Sequence, residues 1–569
     1  MCGIWSFIQL AHGTPQFSQL FADFMNMKPR GPDMTSFQTM KNLSVGFHRL
    51  AIMNPKFNAN QPYIIEDGDR TIMFCCNGEI YNFQELINDF NLSITDNSDC
   101  MTIPLLYLSH VKSNSDKNGI HDFVNLFTHK IKGEYAFMLF EFDALQNLKQ
   151  IICGRDHIGI RPLYIGNNDV SIMFSSEIKG MMSYKGNVKE FEPGTIMQYY
   201  LNTDWSVKSK NEYDFKIIYD IIPIEENQFT ANEMMEKVFL ANVRNALTES
   251  VKRRLTADKP IAFLLSGGLD SSLVCGIATK LLNKPINTYC CGIANTNSTD
   301  IKFARTVAEF IKSNHTEVLF TIEDALASIP EVIRIIESYD VTTIRASVGQ
   351  YMVSKYISEN SDCPVVITGE LSDEVANSYM FNYYAPNGKA LHNVAKEYVK
   401  EVHMYDGRRV DRCLANMSCE ARIPFSDPEY IFAYWQIPSN WRHPKYKGCE
   451  KWWLRKAFEG TDVLNTEVLY RRKEAFSDGI SGTAKSWFQI IQEHIETLIT
   501  YEEFKNNKWG CVTKEQYYYR KIFVEIYGKD RLSILQHMWI PKWDANGNEI
   551  KEYVDPSART LSIYKNEEQ

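Results

Sequence analysis

The apolar pattern of the 569-residue chain changes character between Asn202 and Asn232, and this change limits the fold most. Before it, short β-type runs dominate: Ser44–Ile52, Thr71–Cys76, Ala136–Phe140, Gln150–Cys153, Ser171–Ser175 and Gly194–Leu201. Gly, Pro, Asn and Asp punctuate them, as they do strand ends. One helix is expected near Phe83–Phe90, so this half reads as layered β with a few helices. After the change, β and α alternate. A strand over Pro260–Leu265 leads through a Gly-rich turn to a helix over Ser271–Leu282, then to a strand over Ile286–Gly292. Ala304, Val307, Ala308 and Ile311 follow at i, i+3, i+4, i+7, one helical face, with Thr299 and Asp300 as its expected caps. Glu317–Phe320 and Cys363–Ile367 are further strands. Such alternation predicts a parallel sheet with helices on both faces and ligands at the carboxyl ends of its strands. The region past Asp427 reads as aromatic-rich and helical, and the tail after Asp544 as polar and partly disordered.

Charge and cysteine content narrow the function class. Lys+Arg number 61 against 70 Asp+Glu, a net charge of −9, which argues against nucleic acid or an anionic membrane as the main partner. The 13 Cys are odd in number and form no C-x-x-C pair, which fits free thiols in the cytoplasm and neither a disulfide scaffold nor a zinc knuckle. No apolar run approaches the ~18 residues of a membrane span.

Three clusters carry chemistry. Met1-Cys2-Gly3 places a small residue after the initiator Met, whose removal would expose Cys2 with an α-amine able to take its thiol proton. An incidental thiol is the plain alternative. Ser266-Gly267-Gly268-Leu269-Asp270-Ser271-Ser272 stands between an apolar run and a helix, where glycines, hydroxyls and the helix N-terminus suit an anion. It is not the G-x-x-x-x-G-K-[ST] loop. Asp270 within such a site makes sense when a divalent cation lies between it and phosphates. Gly369-Glu370-Leu371-Ser372-Asp373-Glu374 follows the strand Cys363–Ile367; its acids need the same cation, with Asp373 the second ligand beside Asp270. A charged helix start is the alternative there.

Arg30-Gly31-Pro32-Asp33, His48-Arg49-Leu50, Asn77-Gly78-Glu79-Ile80-Tyr81-Asn82 and Ser98-Asp99-Cys100 resemble, in order, the segments of class II, N-terminal-nucleophile glutamine amidotransferases. The glycine-rich loop resembles that of the ATP pyrophosphatases. Tyr339 to Ser347, Glu420-Ala421-Arg422-Ile423-Pro424-Phe425, Arg472 to Gly479 and Asp555-Pro556-Ser557-Ala558-Arg559-Thr560 extend the likeness to the glutamine-hydrolysing asparagine synthetases, animal-type branch.

The resemblance implies an α/β and α+β chain. An N-terminal αββα sandwich glutaminase would span 2–205, a linker 206–232, a parallel-sheet ATP-pyrophosphatase domain 233–545 and a polar tail 546–569. It implies Cys2 as nucleophile, with Asn77 and the Gly78 N–H as oxyanion donors. Arg49 would clamp the glutamine α-carboxylate, and Asn77, Glu79 and Asp99 would complete the glutamine site. Leu264, Ser266, Gly267, Gly268, Asp270, Ser271, Ser272, Thr368 and Gly369 would bind ATP, and Asp270 and Asp373 would hold Mg2+. Thr342 and Arg345 would hold aspartate, and Lys473 would face the phosphates. Glu370 would be the general base, made more basic by burial. An internal ammonia tunnel is implied, and a homodimer is compatible with it. Nucleic acid and membrane are not expected partners.

The chain departs from the family pattern at Leu371, where Gly is usual, and at Ala376-Asn377-Ser378, where Phe-Gly-Gly is usual. Met101 and Pro29 replace Glu and His. Two rival readings are a different adenylylating amidase, of the β-lactam synthetase type, and a silent protein that kept the fold. Cys2 and the glutamine segments argue against the first; Cys2, Asp270 and Glu370 together argue against the second.

Overall fold

The computed structural model describes residues 1–10, 17–94, 98–112, 116–222, 224, 233–471, 479–481 and 485–557. The chain divides into two units. One holds Met1–Ile217, Thr256–Lys259 and Ala415–Glu420; the other holds Ile218–Leu255, Pro260–Leu414 and Ala421–Gln569.

Among the described residues the first unit is built on twelve strands: β1 (Gly3–Gln9), β2 (Met34–Met40), β3 (Leu43–Arg49), β4 (Tyr63–Asp67), β5 (Arg70–Ile80), β6 (Gly133–Phe142), β7 (Leu148–Arg155), β8 (Tyr164–Asn168), β9 (Ser171–Ser175), β10 (Asn187–Glu190), β11 (Thr195–Leu201) and β12 (Val207–Asp214). They form two sheets, in the orders β10-β8-β9-β1-β3-β2 and β12-β11-β7-β6-β5-β4. Side chains alternate across a strand, so β5, β6, β7 and β11 of the second sheet each feed two cores. Ala136, Met138 and Phe140 pack with Ile4, Ile8, Val45 and Phe47 of the first sheet. Phe137 and Leu139 turn the other way, onto Leu86, Ile103, Leu106, Phe123 and Phe127 of the helices Phe83–Phe90, Thr102–His110 and Lys117–His129. On the outer face of the first sheet, Trp5 and Phe37 pack on Phe24 of the helix Phe17–Met25. The layers therefore run α-β-β-α.

Several expectations shift in detail. The span expected as linker contains β12, which pairs antiparallel with β11 as an edge strand. Its run Val-Lys-Ser-Lys-Asn-Glu-Tyr-Asp is almost wholly exposed, so it lacks the half-buried alternation by which strands are recognised. The helix Thr299–Ile311 is capped by Ser298, whose side chain accepts from the Ile301 N–H; Thr299 and Asp300 lie inside it.

The second unit holds β13 (Ile261–Leu264), β14 (Asn287–Ile293), β15 (Asn314–Phe320) and β16 (Val365–Ile367), in a sheet of order β15-β14-β13-β16 with β17 (Glu420–Arg422) at its end. β15, β14, β13 and β16 run parallel. The chain steps from β13 to β14 and β15 on one side, then crosses to β16 on the other. The switch point thus lies between β13 and β16, where open α/β sheets place their ligand crevice. Residues 545–557, expected as part of a polar tail, are placed: the Asp555 carboxylate is bound by Arg345 and Gln492.

Candidate active sites

The glutaminase motifs meet at one end of the β-sandwich. β4 begins only at Tyr63, opposite Phe74, so β5 has no strand neighbour on that side from Cys75 onward. Alternate N–H groups of a strand point the same way. The Cys76 N–H is taken by the Gln61 side chain at 2.6 Å and the Ile80 N–H by Asp99 Oδ2 at 2.7 Å. The Gly78 N–H points to the same side, between them. A Cβ at Gly78 would lie 2.2 Å from the Glu134 carbonyl, so only glycine fits there. Asn77 Oδ1 accepts the Cys2 N–H at 3.0 Å. Its buried Nδ2 has no hydrogen-bond partner among the described residues.

Cys2 is fixed from a second direction. Arg30 donates through Nε to the Cys2 carbonyl at 2.9 Å and pairs with Glu177 at 2.6 Å, while Lys179 pairs with the same carboxylate at 2.7 Å. Met1 still precedes Cys2 and is buried, its amine 3.6 Å from Glu420. With Met1 in place the Cys2 nitrogen is an amide, and loss of water pushes the thiol up to about 11.

Arg49, expected as a carboxylate clamp, donates to Lys56 O at 2.7 Å, Asn60 Oδ1 at 2.6 Å, Met53 O at 3.3 Å and Asn54 O at 2.5 Å. It therefore ties the 53–60 loop. All four acceptors are neutral, so the buried guanidinium keeps its net charge. Asp99 and Glu79 are also buried at this end.

In the second unit a cavity of about 230 Å³ opens at the switch point, among them lined by Leu264, Ser266, Gly268, Asp270, Ser271, Thr342, Thr368, Gly369, Glu370 and Asp373. Gly267 and Ser272 belong to the same loop and helix start but do not line it. Gly267 has φ +72°, and a Cβ there would sit 2.3 Å from the Ala304 nitrogen, which is why the loop needs glycine. The loop is braced by Ser266 and Ser271, whose hydroxyls lie 3.0 Å apart at the start of the helix Leu269–Leu282. The Thr342 and Thr368 hydroxyls are buried without partners among the described residues.

The two expected metal carboxylates do come together, around a cation that the sequence reading missed. Lys451 Nζ lies 2.5 Å from Asp270 and 2.6 Å from Asp373. Burial lowers the Lys451 pKa, but the two carboxylates outweigh burial and raise it. Among the described residues no group of three or more His, Cys, Asp or Glu is arranged to hold a metal.

Two expectations are corrected. Glu370 does not stand alone: Arg409 binds both its oxygens, at 3.1 and 2.9 Å, and pairs with Asp406 at 2.5 Å. Its neighbour Glu374 is held well above the carboxylate range, first by burial and then by the nearby Asp406 and Asp373. Arg345 does not line the cavity. Glu515, at 2.9 and 2.7 Å, and Asp555, at 3.0 and 2.9 Å, occupy its fork. Lys473 lies outside the described residues.

The glutamine amidotransferase domain family matches residues 1–240, and the asparagine synthase family matches 242–395 and 385–544. Fold and sites thus define a two-part enzyme, an amidotransferase joined to a synthase. Curated relatives named asparagine synthetase (glutamine-hydrolysing) align over 99% of this chain and 99% of their own: 35% identical in Cricetulus griseus, 34% in Homo sapiens and 34% in Gallus gallus. The chain belongs to the glutamine-hydrolysing asparagine synthetase family. No helix among the described residues is long and apolar enough to cross a membrane.

Proposed function

We propose that the chain makes asparagine from aspartate, ATP and glutamine, giving glutamate, AMP and pyrophosphate. The observation that carries the site reading is the Cys2–Asn77–Gly78 arrangement: a thiol beside a buried amide nitrogen and a backbone N–H on the open edge of β5. A thiol near 11 is a poor nucleophile at neutral pH. Removal of Met1 converts the Cys2 nitrogen into an amine of pKa about 8, which accepts the thiol proton. The thiolate attacks the glutamine side-chain carbonyl, Asn77 Nδ2 and the Gly78 N–H receive the oxyanion, and ammonia leaves with the proton that the Cys2 amine took from the thiol. Water then hydrolyses the glutamyl thioester to glutamate and free Cys2. The charge left on Arg49 attracts the substrate α-carboxylate, and Asp99 and Glu79 face the ammonium.

In the second unit the loop Ser266–Ser272 and residues Leu264, Thr368 and Gly369 take ATP. Two carboxylates drawn onto one ammonium fit Mg2+, which commonly uses one or two carboxylates and completes its shell with phosphates and water. Asp270 and Asp373 would hold it, and it would offset phosphate charge. Lys451 supplies a fixed positive charge at the same place. Thr342 offers its hydroxyl to aspartate, whose β-carboxylate attacks the α-phosphorus and expels pyrophosphate. Ammonia then displaces AMP from β-aspartyl-AMP, and Glu370, oriented by Arg409, receives the released proton.

Product analysis tests the reading. Glutamine, aspartate and Mg-ATP should yield asparagine, AMP and pyrophosphate; ADP and phosphate in their place would refute adenylylation. Cys2→Ala should end glutamine-dependent synthesis and leave ammonium-dependent synthesis.

A further inference from the structure

The helix Val341–Asn360 forms one wall of the ATP cavity through Thr342, Ala346 and Gln350. Another part of the wall is Pro556 and Ser557, near the other end of the chain. One side chain joins the two. Arg345, on that helix, carries a bidentate pair to Asp555 at 3.0 and 2.9 Å and a second to Glu515 at 2.9 and 2.7 Å. Gln492 Nε2 bridges the two carboxylates, at 2.9 Å to Asp555 and 3.3 Å to Glu515. The Phe488 ring lies 5.3 Å from the guanidinium. Asp555 Oδ1 also accepts the Ser557 N–H at 3.0 Å, which turns the chain so that Pro556 and Ser557 meet the cavity.

We propose that Asp555 is a positioning residue: through Arg345 it locks the 555–557 turn against the helix Val341–Asn360, and this lock sets the affinity of the cavity for its amino-acid substrate. The inference rests on the synthetase reading above. It goes beyond that reading by giving Arg345 and the C-terminal turn a shared task in place of direct substrate contact. The nucleotide side of the cavity, Ser266, Gly268 and Asp270, takes no bond from this lock. The wall that it holds carries the Thr342 hydroxyl, which has no partner among the described residues.

Charge decides which substitution is informative. Arg345 and Glu515 neutralise each other, and both are buried. Asp555 is the surplus charge and is the more exposed of the two carboxylates. Removing its charge leaves a neutral pair that keeps the helix in place, whereas removing Arg345 leaves two carboxylates facing each other and endangers the fold.

Asp555→Asn and Asp555→Glu are compared with the unsubstituted chain in ammonium-dependent synthesis, with glutaminase turnover as the control. Loss of a charge-assisted bidentate pair should raise the aspartate KM of Asp555→Asn about tenfold, with the ATP KM within about twofold and kcat little changed. Asp555→Glu should recover most of that affinity. An unchanged aspartate KM overturns the proposal. So does an equal rise in both KM values, which means general loosening. If the unsubstituted chain makes no asparagine, the synthetase reading has failed, and the lock is then read by hydrogen exchange at residues 553–557. Faster exchange there in Asp555→Asn supports the lock, and unchanged exchange overturns it.

Discussion

Leu371 sets backbone against burial, and the two can be separated by substitution. It occupies φ +69°, ψ −4°, just before the helix Ser372–Ala376, yet its side chain is only 2% exposed. A left-handed backbone disfavours an L side chain by roughly 1–2 kcal/mol, a cost glycine escapes. Truncating a buried Leu costs roughly 2–5 kcal/mol. Burial wins, so both Leu371→Ala and Leu371→Gly should destabilise the second unit by about 2–4 kcal/mol. Their order carries the test. At an ordinary buried position Ala outranks Gly by about 0.8 kcal/mol for the methyl and roughly 0.5–1 kcal/mol for chain entropy. Here the relief of strain cancels that lead, and the two variants should agree within about 0.5 kcal/mol. Calorimetric unfolding of the whole chain, following the transition of the second unit, measures this as melting temperatures within about 2 °C of each other. An Ala variant that unfolds several degrees above the Gly variant would refute a left-handed Leu371.

Asn77→Ala should lower glutaminase kcat about 100- to 1000-fold, the usual effect of losing one oxyanion donor, with ammonium-dependent synthesis kept. Lys451→Ala should abolish adenylylation, followed by pyrophosphate exchange into ATP. It should also make Mg2+ alone raise the melting temperature more than in the unsubstituted chain, because Asp270 and Asp373 lose their shared cation. His48 is buried, stacked on Phe24 at 4.0 Å and bonded to the Phe24 carbonyl at 3.0 Å; burial lowers its pKa to about 4. Its folded value lies below the unfolded one, so its contribution is complete above about pH 6.5 and is lost as pH falls toward 4, by at most about 3 kcal/mol. His48→Gln should flatten the acid limb of the first unit's unfolding curve; an unaltered limb would exclude His48 as its source.

Where the chain pattern follows local rules, the sequence was readable. The helix Phe83–Phe90 and the strand Ser171–Ser175 have the expected bounds, because each is bracketed by polar or turn residues. β12 escaped notice because a polar edge strand carries no period. The loops after β13 and β16 were legible as motifs. Lys451, which joins them, was not: it lies 181 residues from Asp270, in a Glu-Lys-Trp-Trp run that matches no motif. The sequence reads Arg345 as a residue that holds the aspartate substrate, through a carboxylate of that substrate. Its partners, 170 and 210 residues away, were not legible. Arg409 escaped in the same way, since only the fold brings it to Glu370.

The position of β12 has a consequence for a crowded solution. β11 reads Thr-Ile-Met-Gln-Tyr-Tyr-Leu, and with its outer edge bare it would offer a ready template to extended segments of other chains. β12 occupies that edge and presents Lys208, Lys210 and Glu212 to solvent in its place. A further strand adding there would have to strip water from these charges, and a second copy meeting it in register would set like charges face to face. These eight residues thus act as a guard against self-association, and neutral apolar residues at 208, 210 and 212 should leave turnover intact while raising the tendency to aggregate.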